Sequence, residues 1–188
     1  MSLSEQDCII LHNIASASIQ YTLAHGRDAR YEKTLTVNDY GAALQQERAT
    51  FVTLQLDNEL RGCIGTLEAR LPLVVDVAHN ARAAAFQDPR FAPLTDKEFP
   101  GLSIHISVLS IPETMTFASQ QDLLNQIRPG IDGLILTAGY HKGTFLPSVW
   151  ESLPTAEEFL GHLKLKAGLP ADYWSDAIKI ERYTTESF

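Results

Sequence analysis

The 188-residue chain has little cysteine, and this scarcity excludes whole classes of protein. Its two cysteines, Cys8 and Cys63, lie far apart, and the chain contains no CxxC pair. A secreted domain held by disulfides, or a zinc ribbon, needs more cysteines at closer spacing. Cys8 and His12 are one helical turn apart, but a zinc site usually takes three or four ligands. The sequence therefore predicts no metal site, and no motif in it identifies a cofactor.

Long hydrophobic runs and an excess of basic residues are also missing. No segment approaches the roughly 20 apolar residues that span a bilayer, and residues 1–7 carry acid rather than the base of a signal peptide. We therefore expect a reduced, cytoplasmic protein without membrane contact. The 15 Lys and Arg are outnumbered by 23 Asp and Glu, which gives a formal net charge of −8. Without a basic cluster, nucleic acid is not an expected partner.

What the chain does have is the composition of a globular domain, with 45% hydrophobic and 20% charged residues. A chain of this length can bury one good core. No repeat, flexible linker or low-complexity tract divides it. We therefore expect a single domain over residues 1–188, either undivided or built from two closely packed lobes.

Helices are predicted where apolar residues recur every three or four positions. Ser4 is placed to cap the first helix and Gly26 to end it. Pro72 begins a second helix that continues to residue 85. The remaining predicted helices cover residues 123–127 and 156–167.

Strands are predicted where apolar and polar residues alternate. The clearest alternation covers residues 102–108, and residues 131–138 are apolar on both faces, as in a central strand. Shorter strands are expected over 144–146 and 178–183, with a turn at 139–143. Strands joined by hairpins, with helices inserted between them, predict an α+β fold with a largely antiparallel sheet.

A predicted hairpin over residues 50–65 carries the densest group of unusual residues. A two-residue loop would pair Leu54 with Arg61 and so mix the core face with a charge. A three-residue loop at 57–59 pairs Leu54 with Gly62 instead. Hydrophobic matching therefore favours the three-residue loop.

This register places Cys63 and Arg61 on the sheet face of Thr53 and Gln55. A guanidinium close to a thiol stabilises the thiolate, so Cys63 is a candidate nucleophile or redox thiol. The alternative is that Cys63 is a small apolar side chain filling a tight space beside Gly62.

Further candidate residues surround this thiol. Gly62 and Gly65 leave the backbone around Cys63 uncluttered, so a ligand can approach closely. His105, on the polar face of its strand, is the better candidate base, and His79, in the middle of a helix, is the alternative. Either histidine acts in catalysis only if the fold brings it to the thiol.

Arg90 is a candidate ligand-binding residue. It follows a predicted helix, and its planar fork suits a carboxylate or a phosphate. An ion pair with an acid such as Asp88 explains the residue equally well.

Six ordered motifs give the chain a resemblance to a known family. The motifs are residues 60–65 (LRGCIG), 88–91 (DPRF), 107–110 (SVLS), 130–133 (GIDG), 144–151 (TFLPSVWE) and 166–169 (KAGL). They are similar to motifs of the AMME chromosomal region protein family, whose bacterial members are called AmmeMemoRadiSam system protein A. The resemblance implies an α+β fold with two lobes. It also implies a genomic setting with a Memo-like protein and a radical S-adenosylmethionine protein, but no particular reaction.

Two functions are consistent with these observations. One is an enzyme, or an enzyme subunit, that acts on a small metabolite at a cleft around residues 61–63. The other is a non-catalytic binding or adaptor module that works with the Memo-like and radical S-adenosylmethionine proteins. An enzyme predicts a concave site that reaches the Cys63 thiol, whereas an adaptor predicts a flat apolar surface. Clustered Gly, Arg and Cys suit a concave site better.

Overall fold

The elements of the chain form two compact units, one over residues 3–109 and 186–188 and the other over 110–185. The structure is a computed structural model and describes residues 3–188. The helices are α1 (Glu5–His25), α2 (Ala42–Gln45), α3 (Leu73–Phe86), α4 (Gln120–Gln126) and α5 (Ala156–Lys166). The strands are β1 (Thr50–Leu56), β2 (Glu59–Gly65), β3 (Leu102–Leu109), β4 (Glu113–Thr114), β5 (Gly133–Ala138), β6 (His141–Phe145), β7 (Lys179–Tyr183) and β8 (Thr185–Ser187). The α+β class predicted from the sequence is confirmed.

The first unit is a four-stranded sheet covered on one face by helices. Its strand order is β2-β1-β3-β8, and β1 pairs antiparallel with both β2 and β3. Val52 and Leu54 on β1 are buried against α1 and α3, whereas Thr53 and Gln55 between and after them are half-buried. This alternation creates one apolar and one polar face. The polar face carries the predicted site.

The capping residues place α1 and α3 as predicted. The Ser4 side chain accepts a hydrogen bond from the Asp7 N–H at 3.1 Å, and the Asp7 carboxylate accepts one from the Ser4 N–H at 3.0 Å. Gly26 ends α1 with a φ of 94°. Pro72 precedes the first residue of α3. This helix is rich in alanine, so its backbone comes close to the sheet.

The predicted three-residue hairpin loop is wrong. The turn consists of Asp57 and Asn58 alone, whose φ angles of 53° and 64° are those of a tight type I′ turn. A β-bulge at Arg61 then absorbs one residue. The predicted pairing of Leu54 with Gly62 therefore forms after all. The bulge allows both a tight turn and the hydrophobic match, which an unbulged ladder does not.

The first unit contains two buried polar clusters that no sequence pattern predicted. Asp76 is 2% exposed and accepts hydrogen bonds from the Thr50 hydroxyl at 2.6 Å and the Asn80 amide at 2.9 Å. Burial raises the pKa of Asp76 despite these donors. Arg82 is also fully buried, with its Nε 3.7 Å from the Glu32 carboxylate.

The second unit is a sheet of order β4-β7-β5-β6 with α4 and α5. Its core includes the stacked rings of Trp150 and Phe159, with centroids 3.9 Å apart. Tyr183 is buried and donates a hydrogen bond to the Phe145 carbonyl at 3.1 Å, and burial raises its pKa to about 12.

Two expectations about this second unit have definite outcomes. The strand predicted over residues 131–138 is central, between β7 and β6, although it begins at Gly133. The turn predicted at 139–143 is shorter than expected, because Gly139, with a φ of 61°, and Tyr140 alone join β5 to β6. Among residues 3–188, no helix combines the length and the apolar character needed to cross a membrane.

Candidate functional site

Cys63, Thr53 and His105 form one row across three neighbouring strands. Thr53 on β1 pairs with Cys63 on β2 and with His105 on β3, and directly paired side chains share a face. Gly62 points to the opposite face, because a Cβ built on it would collide with the Ala84 carbonyl oxygen of α3. The row therefore lies on the polar face, as predicted for Cys63 and Thr53.

Thr53 contacts the thiol directly. Its hydroxyl donates a hydrogen bond to the Cys63 Sγ at 3.2 Å. A donor on the sulfur stabilises the negative charge of a thiolate. Cys63 as a residue is half-buried.

Neither candidate histidine forms a dyad with Cys63. His105 is exposed, its Nε2 lies 3.1 Å from the Gln55 Oε1, and two strand spacings, roughly 9–10 Å, separate it from the thiol. His79 lies on α3, which packs against the other face of the sheet, with its Nδ1 3.6 Å from the Glu32 carboxylate. A base role for His105 therefore concerns a bound molecule rather than the thiol proton, and it stays a prediction.

Asp88 connects more groups at this site than any residue singled out from the sequence. Its side chain is 2% exposed, and its Oδ2 accepts hydrogen bonds from the Cys63 N–H at 2.9 Å and the Arg90 Nη2 at 2.7 Å. Its Oδ1 accepts from the Arg90 Nε and N–H at 3.0 and 3.1 Å. Because β2 is an edge strand, the outward N–H of Cys63 has no strand partner, and Asp88 satisfies it.

The Asp88–Arg90 pair shifts the pKa of both partners toward their charged forms. Hydrogen bonds from Arg90 hold the pKa of Asp88 well below its usual range, so the carboxylate stays ionised. The pKa of Arg90 is raised, mainly by its hydrogen bonds to Asp88. The Arg90 Nη2 and the Cys63 N–H share one acceptor, the Asp88 Oδ2, which links the guanidinium to the backbone of Cys63. The Arg90 side chain is 54% exposed.

Arg61 is directed to different partners. Its Nε donates to the Glu98 carboxylate at 2.8 Å, and its Nη2 donates to the Ala92 carbonyl at 2.9 Å. This pairing lowers the pKa of Glu98 to about 2. Arg61 was expected beside the thiol, but it is Arg90 that shares a hydrogen-bond acceptor with Cys63. Binding of a ligand by Arg61 stays a prediction.

The two glycines of the motif have packing reasons of their own. Gly62 allows the backbone of α3 to touch β2. A side chain on Gly65 would collide with the ring of Phe51 and the carbonyl of Thr50. Neither position tolerates a Cβ, so the glycines shape the site through packing, and their part in ligand binding stays a prediction.

The ion pair of Arg90 with Asp88, which the sequence offered as one of two explanations of Arg90, is confirmed. The sequence did not indicate that Asp88 also binds the Cys63 N–H, nor that Thr53 is a site residue. A signal for Asp88 existed in the DPRF motif, since Asp and Arg separated by one residue and a proline can form a local fork. Thr53 carried no such signal, because its role depends on strand pairing. Among residues 3–188, no three His, Cys, Asp or Glu side chains come close enough to hold a metal ion.

Comparison with known proteins shows similarity along nearly the whole chain. The family model AMMECR1 matches residues 12–188. Protein MJ0810 of Methanocaldococcus jannaschii is 37% identical over 164 residues, which cover 83% of this chain and 80% of that protein. A protein of Methanothermobacter thermautotrophicus is 34% identical over 192 residues, or 99% of this chain and 95% of the relative.

A solved structure has the same fold. The crystal structure of the uncharacterized protein PH0010 from Pyrococcus horikoshii superposes with a TM-score of 0.82 at 32% sequence identity. The similarity covers 95% of this chain and 88% of that chain.

Proposed function

This chain belongs to the AMMECR1 family, and from that premise and the geometry of the site we propose that it is an enzyme, or an enzyme subunit, that acts on a small metabolite at the polar sheet face around Cys63. The hydrogen bond from the Thr53 hydroxyl to the Cys63 sulfur, 3.2 Å long, carries the proposal. A cysteine that served only as a small apolar filler would face α3, as Gly62 does.

The hydrogen bond at the sulfur supports a reactive thiolate. Thr53 donates to the sulfur, and Arg90 binds the same Asp88 oxygen as the Cys63 N–H. A hydrogen-bond donor stabilises negative charge on sulfur, and the thiolate is the form of cysteine that attacks carbon. In the proposed step the thiol proton passes to water, the sulfur bonds to an electrophilic carbon, and the leaving group departs with the electron pair of the broken bond.

The row geometry limits the size of the metabolite. A molecule bound at Cys63 and extending across β1 over Thr53 reaches His105 after roughly 9–10 Å. His105 can then exchange a proton with the far end of that molecule, or with its leaving group. Arg61, Gly62, Gly65 and Arg90 complete the surroundings that we propose for the ligand.

Alkylation of the native protein tests the thiol. We expect iodoacetamide to modify Cys63 before Cys8, measured by peptide mass spectrometry, because burial, Glu186 and Asp7 raise the pKa of Cys8 and reduce its thiolate. The Thr53→Val variant keeps the shape of residue 53 but removes the hydroxyl, and should slow Cys63 alkylation several-fold. Cys8→Ser provides a protein in which Cys63 is the single thiol. A Cys63 that stays unmodified until the protein unfolds would refute the proposal.

Consumption of a metabolite tests the enzyme itself. The native protein and its Cys63→Ser variant are incubated with a small-molecule extract, and each compound is followed by mass spectrometry. We expect a compound that is consumed by the native protein and not by Cys63→Ser, with slower consumption by His105→Gln. Equal profiles for the native protein and Cys63→Ser would contradict a thiol enzyme.

A non-catalytic adaptor is the second candidate, and exposed apolar side chains favour it. In the second unit Ile111, Ile131, Tyr140 and Leu165 are 75%, 50%, 107% and 53% exposed. Isolated exposed apolar residues are common, but four in one small unit are compatible with a protein partner. Co-expression with Memo-like and radical S-adenosylmethionine proteins, followed by size-exclusion chromatography, tests this function. Co-elution that survives Cys63→Ser and fails in Tyr140→Ser with Leu165→Ser would favour it.

A further inference from the structure

The carboxylate of Asp88 joins the thiol-bearing strand to an exposed cation. One oxygen, Oδ2, accepts hydrogen bonds from both the Cys63 N–H at 2.9 Å and the Arg90 Nη2 at 2.7 Å. The second oxygen accepts from the Arg90 Nε at 3.0 Å. The fork fixes the guanidinium plane, because two parallel N–H···O bonds define its orientation.

The two charges of this pair do not face solvent equally. The Asp88 side chain is 2% exposed, whereas that of Arg90 is 54% exposed. A molecule that approaches from solvent therefore meets the guanidinium first, with the carboxylate behind it. The outer N–H groups of a guanidinium whose inner edge is taken by one carboxylate are available to a second oxyanion.

The neighbouring arginine does not offer the same opportunity. Arg61 lies deeper, with its side chain 13% exposed, and uses its Nε and Nη2 on Glu98 and the Ala92 carbonyl. Both guanidinium groups flank the ring of Phe91, at 5.8 Å for Arg61 and 5.5 Å for Arg90. Arg61 thus supports the ring, and Arg90 is the exposed arginine, linked to the backbone of Cys63 through Asp88.

We propose that Arg90 is the anion-binding residue of the Cys63 site, positioned by Asp88, and that the metabolite is an oxyanion. Its carboxylate or phosphate group binds the outer edge of Arg90, which places the reacting carbon at the Cys63 sulfur. Phe91 and the sheet contact the uncharged remainder. This inference rests on the proposed function of Cys63 as the reactive group, and it adds the charge of the substrate.

Paired alkylating reagents measure this anion preference at Cys63. Iodoacetate carries a carboxylate and iodoacetamide does not, yet both react with the same thiolate. The ratio of their rates therefore cancels the thiolate fraction and reports the local charge. The protein used is full-length Cys8→Ser at constant ionic strength, because salt screens the effect, and N-acetylcysteine provides the ratio of a free thiol.

We expect the iodoacetate-to-iodoacetamide ratio at Cys63 to exceed that of N-acetylcysteine by about threefold to tenfold, as for one partly screened charge nearby. Arg90→Gln should lower it to the free-thiol value or below, because the Asp88 carboxylate then lacks its cation, and Arg90→Lys should retain part of the increase. Arg128→Gln is the matched control, since Arg128 forms a similar fork with Asp132 in the second unit and is 48% exposed. It should leave the ratio unchanged.

Competition identifies the oxyanion. Acetate and inorganic phosphate are added in separate series, and the anion that slows iodoacetate at the lower concentration, in the native protein but not in Arg90→Gln, is assigned to the site. Slowing by neither anion counts against the proposal. Circular dichroism of each variant verifies that the fold is retained.

These outcomes distinguish failure of the anion site at Arg90 from failure of the proposed thiol function of Cys63. If Cys63 reacts with both reagents at the free-thiol ratio, or if Arg90→Gln leaves a raised ratio unchanged, the anion site is refuted while the thiol proposal stands. If Cys63 reacts with neither reagent in the folded protein, the proposed function itself fails and this inference fails with it.

Discussion

Each unit of the molecule contains a fork between one arginine and one aspartate, and the two forks are nearly identical in themselves. Asp88 and Asp132 have side chains 2% and 0% exposed, and their arginines, Arg90 and Arg128, are 54% and 48% exposed. The shortest contacts are 2.7 and 2.6 Å. In both, a buried carboxylate orients a half-exposed guanidinium.

The difference lies in one additional partner of Asp88. Asp132 accepts from the Arg128 N–H at 2.9 Å and Asp88 accepts from the Arg90 N–H at 3.1 Å, so each fork closes a local turn. Asp88 also accepts from the N–H of Cys63, 25 positions away in the sequence. The same pair of residues therefore stabilises a loop in one unit and joins a loop to a thiol-bearing edge strand in the other. An arginine–aspartate fork has no function of its own, because its neighbours decide what it does.

Replacement of one glycine in each unit by alanine should give the largest difference in stability between variants of the two units. Gly62→Ala drives a methyl group into the backbone of α3, and should lower the free energy of unfolding by about 3 kcal/mol. Gly161→Ala on α5 is the control: the nearest atom to its Cβ is 4.0 Å away, and alanine is the better helix former. Urea unfolding measures both. A Gly62→Ala protein as stable as the native one would mean that α3 does not pack closely on β2.

Removing the two carboxylates should cost similar stability and have different effects on the thiol. Asp88→Ala and Asp132→Ala each break a fork with a buried acid. The free energy of unfolding of each variant should therefore be lower by about 2 kcal/mol. Only Asp88→Ala should change the iodoacetate-to-iodoacetamide ratio at Cys63. The comparison between the forks fails if Asp132→Ala alters that ratio, or if Asp88→Ala leaves it unchanged.

Glu98, which pairs with Arg61 in the first unit, should contribute to stability in a way that depends on pH. The pKa of Glu98 is lowered from 4.5 to about 2, so the pair stabilises the fold above pH 4.5 and this contribution is lost as the pH falls to about 2. Glu98→Gln should be less stable than the native protein by about 1 kcal/mol at pH 7, given its partial exposure.

That stability difference should shrink as the pH decreases from 4.5 to about 2, as measured by urea unfolding at several pH values. Glu113→Gln is the control, because Glu113 forms an exposed pair with Arg182 at 3.5 Å in the second unit. It should change stability little at any pH. A difference for Glu98→Gln that is constant over this range would show that Glu98 is not acting through its charge.

The smallest expected effect is that of the thiol itself on stability. Cys63→Ser should change the free energy of unfolding by less than about 1 kcal/mol, because serine is nearly isosteric and this half-buried position can hydrate its hydroxyl. Cys8→Ser on α1 is the comparison. A loss of several kcal/mol for Cys63→Ser in thermal or urea unfolding would place Cys63 in the core and remove the basis of the thiol site.

Local signals in the sequence were sufficient for most helices and for the polar face. Capping at Ser4 and the proline at 72 predicted where α1 and α3 begin, since these effects depend on a few neighbouring residues. Alternation predicted that Cys63 shares a face with Thr53, because the side-chain period of a strand is two. The hairpin loop was wrong because a bulge inserts a residue without changing that alternation.

The sequence by itself thus determined the longer helices and strands, the α+β class, the family and the face on which Cys63 lies, since each depends on local geometry or on ordered motifs. The tertiary structure alone decided which arginine shares a hydrogen-bond acceptor with Cys63. Arg61 is two residues from Cys63 in sequence, yet the bulge directs it to Glu98, whereas Arg90 arrives through the buried carboxylate of Asp88. Electrostatic partners are chosen by distances in space and by burial, which no spacing along a chain specifies.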